Sequence, residues 1–77
     1  MTVIELSNVL REMYEESSGN KTAMIHLFGI KYAAVIRDNG YTPKEILAVA
    51  KMPESYFAEI NKGIKLAKYV EVKSQYL

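Results

Sequence analysis

An all-α domain, a compact bundle of four to five short helices, is the fold this sequence predicts, and three observations predict it. Apolar residues recur at helical spacing through successive stretches that begin near Val3, Lys21 and Ile46. Two adjacent segments carry strong stop and start chemistry, Asn39-Gly40 and Thr42-Pro43-Lys44-Glu45. Strand-like alternation is confined to Val70-Glu71-Val72-Lys73.

The first helix is expected over about 3–17. Thr2 can cap it, with Glu5 three residues on as in a capping box. Leu6, Val9, Leu10, Met13 and Tyr14 form its apolar face, and Glu5, Glu12, Glu15 and Glu16 fall mostly on the other side. Ser17-Ser18-Gly19-Asn20 breaks it. The second helix is expected from Lys21 or Thr22 to Asp38. Its apolar residues cover most of the circumference, which places it at the centre, contacted on several sides. Gly29 costs about 1 kcal/mol against alanine in a helix interior, and close approach by another helix is the reason to keep it. Asn39-Gly40 supplies the left-handed stop.

The third helix has the clearest start in the chain. Thr42 is its N-cap, Pro43 its first helical residue and Glu45 a capping-box partner. Ile46, Leu47, Val49 and Ala50 follow, and Pro53 ends the helix because the residue before a proline avoids helical dihedrals. A fourth helix starts near Pro53 or Glu54, with Phe57 and Ile60 on its buried face and Gly63 able to cap its end. Ile64 to Val70 is expected as a short fifth helix, followed by a loose tail over 71–77. No internal repeat, low-complexity segment or long linker divides the chain, so residues 1–77 are read as one domain.

A chain of 77 residues with no cysteine must build its core from aliphatic and aromatic side chains alone, and at 49% hydrophobic it has enough of them. Disulfides, thiolate zinc sites and thiol nucleophiles are excluded. MTVIELSNVL lacks a basic segment and an unbroken apolar run, so it does not read as a signal peptide, and no stretch is apolar for long enough to span a bilayer. A cytoplasmic protein is expected. The net charge is only +1, but it is unevenly placed. Residues 1–40 carry four cations against five carboxylates, and residues 41–77 carry six lysines against four glutamates. The basic bias is mild and lies in the C-terminal half.

Catalytic chemistry finds little support. His26 is the only histidine and lies inside the most apolar helix, where a backbone or solvent partner is expected rather than a metal or a substrate. No serine has a neighbouring base, Glu15-Glu16 read as a solvated helix end, and there is no glycine-rich phosphate loop. The expectation is a protein that is not an enzyme, with no cofactor, no metal and no evident small-molecule substrate.

The informative constellation surrounds Pro53. Two short helices joined by a tight turn need apolar residues at fixed offsets. Counting from Ile46, the positions at +4, +6, +11 and +14 hold Ala50, Met52, Phe57 and Ile60, all apolar. Over about 42–63 the chain therefore resembles the helix-turn-helix family. SYFAEINKG is similar to the end of the reading helix in many bacterial repressors. More loosely, residues 24–70 look like small helix-turn-helix-like DNA-binding domains of bacterial and phage origin. Two residues depart from the pattern. Leu47 stands where the family usually has a small residue, which sets the two helices further apart. Lys51 stands in the turn where glycine is common, which asks a lysine to adopt a left-handed conformation.

The resemblance implies a DNA-binding regulator or accessory domain whose helix over about 54–62 docks in the major groove. Glu54, Ser55, Ala58, Glu59 and Lys62 would face the groove. Ser55 can donate to a phosphate or base edge and Glu59 can accept from a cytosine amino group. Lys44, Lys51, Lys62, Lys65 and Lys68 would neutralise phosphates and offset the two glutamates. Lys62 and Lys65 share a face if the helix continues through Gly63. Tyr56 and Tyr69 are expected in the core or at its rim. The implied partner is double-stranded DNA, with a homodimer or protein partner possible through helix one or the tail. The alternative is a non-enzymatic protein-interaction module with the same helices.

Overall fold

The computed structural model describes residues 1–77, folded into four α-helices with no strand. They are α1 (Val3–Glu16), α2 (Lys21–Asn39), α3 (Pro43–Ala50) and α4 (Phe57–Leu66). Single 3-10 turns over Glu54–Tyr56 and Ser74–Tyr76 complete it. No helix is long and apolar enough to cross a membrane.

Local chemistry sets most of these boundaries. Thr2 and Glu5 form the expected capping box: the Glu5 N–H donates to the threonine hydroxyl at 3.1 Å, and the Thr2 N–H donates to the Glu5 carboxylate at 2.8 Å. Gly40 is left-handed (φ 69°) and closes α2 with its N–H on the Ile36 and Arg37 carbonyls. The Thr42 hydroxyl accepts from the Glu45 N–H at 3.2 Å, but the return bond from the Glu45 side chain is not made. Pro53 is not what ends α3. That helix stops at Ala50 because Lys51 takes the left-handed conformation (φ 57°, ψ 45°), as the turn demands. Pro53 instead leads into the 3-10 turn before α4.

The helices form two hairpins, α1–α2 and α3–α4, lying side by side with like helices running in the same direction. Along the first seam Ser7 meets Ile46 and Arg11 meets Ala50. The buried Ser7 hydroxyl sits 2.7 Å from the Val3 carbonyl and 3.1 Å from that of Ile46. The Arg11 guanidinium donates to the Ala50 and Lys51 carbonyls, so α1 supplies the cation that caps the C-terminus of α3. Along the second seam His26 meets Glu59 and Gly29 meets Gly63. Leu6, Leu10, Ile25, Phe28, Leu47 and Ile60 fill the space between the seams and are fully buried.

Gly29 is tolerated for the expected reason. A Cβ there would lie 2.6 Å from the Ile60 carbonyl oxygen and 3.0 Å from the Gly63 Cα. Gly63 is the other half of this crossing, and it does not cap α4. A Cβ on Gly63 would strike the His26 carbonyl oxygen, and the helix runs on through it to Leu66. The two glycines head a short repeat that the linear reading overlooked: Gly29-Ile30-Lys31-Tyr32-Ala33 recurs as Gly63-Ile64-Lys65-Leu66-Ala67. Small residues one turn apart on both helices let the backbones touch.

Four further expectations are corrected. Phe57 is not a core anchor. It is 38% exposed beneath the Lys44 ammonium, 4.9 Å from the ring centroid. Tyr56 takes the inner position instead, its hydroxyl 3.2 Å from that of Tyr14 and the rings edge to face. Tyr69 lies neither in the core nor at its rim but is 83% exposed. No fifth α-helix forms over 64–70, because Ile64 to Leu66 belong to α4 and a turn follows. The tail is not wholly loose: Ser74–Tyr76 make one turn, and the Lys31 ammonium donates to the Tyr76 carbonyl at 3.1 Å.

Leu47 is fully buried, and α3 packs chiefly on α1 while α4 packs chiefly on α2. The two helices flanking the turn touch each other less than each touches its partner in the first half of the chain.

Candidate nucleic-acid interface

α4 buries Ile60 and Gly63 and turns the opposite stripe outward, so Ala58, Lys62, Lys65 and Leu66 follow one another along its free face. Because the helix continues through Gly63, Lys62 and Lys65 do share that face. Tyr69 extends it past the end of the helix. Lys62, Lys65, Leu66 and Tyr69 border, with His26, an open groove of about 370 Å³.

The predicted DNA-contacting residues separate into three groups. Lys44, in the first turn of α3, and Ser55, in the 3-10 turn, lie near the N-terminal end of α4. Lys44 pairs there with Glu54 at 3.7 Å. Lys51 is exposed at the turn between the helices, with no ion pair. Lys62 and Lys65 occupy the outward face of α4, and Lys68 lies beyond its C-terminus on the side of α2.

Glu59 stands apart from the others. It folds back on α2, where one carboxylate oxygen meets His26 Nε2 and the other accepts from Lys62 at 3.2 Å. Both oxygens are engaged, so the expectation of a free acceptor for a cytosine is not met. His26 is likewise corrected: its partner is a carboxylate on another helix, not backbone or solvent. The hydrogen bond from His26, followed by that from Lys62, holds the Glu59 carboxyl below its ordinary value of 4.5. A lowered folded-state value contributes stability above the unfolded value and loses it as pH falls through the folded one. Glu59→Gln is therefore expected to lower the melting temperature near neutral pH, with the gap to wild type closing as the solution is acidified below 4.5. A gap independent of pH would assign the effect to packing instead.

The partnership of His26 and Glu59 lies beyond any local spacing rule. The overlooked Gly-Ile-Lys-x-Ala repeat is the signal that reveals it, since aligning Gly29 with Gly63 puts His26 level with Ile60 and next to Glu59. No group of three or more histidine, aspartate or glutamate side chains is placed to hold a metal ion.

Two stacked helical hairpins, the second bent through a left-handed turn to present α4, define a helix-turn-helix-like domain. The chain belongs to the HTH-like domain family, whose model matches residues 2–73. No curated protein and no solved structure matches it.

Proposed function

We propose that the domain binds double-stranded DNA as a cytoplasmic regulator or accessory domain, laying α4 in the major groove with lysines on the flanking phosphates. It acts by binding alone, without catalysis or a cofactor. One observation carries this reading, the disposition of charge around α4. Both glutamates that would repel phosphate have partners within the fold, Glu54 the Lys44 ammonium and Glu59 the Lys62 ammonium together with the His26 ring. Lys51, Lys65 and Lys68 have no carboxylate partner. The mild excess of positive charge is thus concentrated where the helix is free.

Binding to a labelled generic duplex, followed by fluorescence anisotropy across a salt series, tests the proposal. Phosphate contacts from Lys51, Lys65 and Lys68 alone give a log–log slope of about −2.7, a loss of about 40-fold between about 50 and 200 mM salt, and each further contact steepens it by about 0.9. Absence of binding at the lowest salt overturns the reading.

A second reading is favoured by Leu66 and Tyr69, which expose apolar surface beside His26 at the outward end of α4. In it the same face holds a protein, without catalysis. Binding of that kind depends weakly on salt, so the same series distinguishes the two.

A further inference from the structure

A second groove, of about 470 Å³, opens between α2 and the end of α4. Its floor consists of Ile30, Ala33, Ala34, Ile64 and Ala67, and three cations, Lys31, Arg37 and Lys68, stand around it. The repeat explains the shape. Ala33 and Ala67 each follow their glycine by one turn, so the seam that brings the backbones together also leaves a shallow trough floored by small side chains. Carboxylates are sparse here. Asp38 is the one paired to a rim cation, reaching the Arg37 guanidinium at 3.3 Å with both side chains more than two-thirds exposed. A pair so exposed to solvent is weak and readily exchanged. Lys31 rests above the Tyr32 ring and donates to the Tyr76 carbonyl, which fixes it at the rim while leaving its charge uncompensated.

The geometry points to this groove as a phosphate-binding site for the DNA strand that passes the C-terminal end of α4, with Lys31 and Arg37 of α2 as contact residues beside Lys68. The inference rests on the DNA reading above and extends it to a helix outside the helix-turn-helix-like unit. Dimensions and charge both support it. A helix of ten residues is about 15 Å long, and the major groove is about 12 Å wide. With α4 across the groove, its two ends approach the two bordering backbones. Lys44 and Lys51 serve the N-terminal end. At the C-terminal end α4 offers Lys65 in its last turn, with Lys68 just beyond it, and the cations of α2 extend the grip. An alanine floor lets a sugar-phosphate segment settle between the cations without steric conflict.

The salt series repeated with Lys31→Gln, Arg37→Gln and the double variant tests the inference. Each lost phosphate contact makes the slope shallower by about 0.9, so the double variant is expected to differ from wild type by about 1.8. Lys21→Gln removes the same charge from the far end of α2 and is expected to leave the slope unchanged. Ala34→Glu places a carboxylate on the exposed floor at a position where a helix accepts glutamate, and it is expected to weaken binding at least as much. Wild-type affinity and slope in the double variant and in Ala34→Glu would overturn the inference while leaving the DNA reading standing. A wild-type domain that binds no duplex at all removes both.

Discussion

Gly29→Val is expected to leave the domain without a cooperative thermal transition. The added Cβ meets backbone on three sides: the Ile60 carbonyl oxygen at 2.6 Å, the Gly63 Cα at 3.0 Å and the Ile64 nitrogen at 3.1 Å. None of these atoms can rotate away as a flexible side chain can, so α2 and α4 must separate. Overfilling a packed site costs about 1–3 kcal/mol even where neighbours adjust, and a single core in a chain of this length supplies roughly 3–5 kcal/mol in total. Separation also uncovers Ile60, which the seam holds fully buried. Gly63→Ala is a milder probe of the same contact from the other side. It improves helix propensity by about 1 kcal/mol and is nevertheless expected to destabilise, because the His26 carbonyl stands in the way. A melt of Gly29→Val coincident with wild type, read by circular dichroism, would show that the helices do not cross as described.

Lys62→Glu combined with Lys65→Glu is expected to abolish duplex binding down to the lowest salt tested. Both side chains lie on the outward face of α4 and neither supports the core. The pair of reversals changes the local charge by four units and frees one Glu59 oxygen from its lysine, turning an attractive face into a repulsive one. His26 still holds the other oxygen. Loss of the exposed Lys62–Glu59 pair is expected to lower the melting temperature somewhat while the transition stays cooperative, because such exposed pairs add little and neither lysine packs in the core. A folded variant that binds with wild-type affinity would move the DNA-contacting surface elsewhere.

The elements were legible from sequence where one local interaction decides them. Thr2 with Glu5, Thr42 with Pro43, and Gly40 each act within a few residues, and all three lie where their spacing puts them. Lys51 belongs with them, since the position of a tight turn required a left-handed residue whatever its identity. Choices between neighbours were not legible. Tyr56 and Phe57 are adjacent and both apolar enough for the core, and the 3-10 turn that rotates Tyr56 inward toward Tyr14 is a consequence of tertiary packing. Gly63 could equally stop a helix or let a neighbour in, and only the presence of Gly29 opposite decides it. For the candidate interface, the lysines and their order along the chain were readable, whereas the tethering of Glu59 and the groove proposed to bring α2 into contact depend on pairings across more than 30 residues.

The side-by-side hairpins also fix when the molecule can fold. Ser7 waits for Ile46, 39 residues on, and Gly29 waits for Gly63. Loops of that length must close before the core rewards them. Leu10, Ile25 and Phe28 of the first two helices share one buried cluster with Leu47 and Ile60, so that cluster is complete only when α4 is in place. Completion of α4 is thus the event that commits the whole chain, and the helix proposed to meet DNA is the one whose arrival makes the domain.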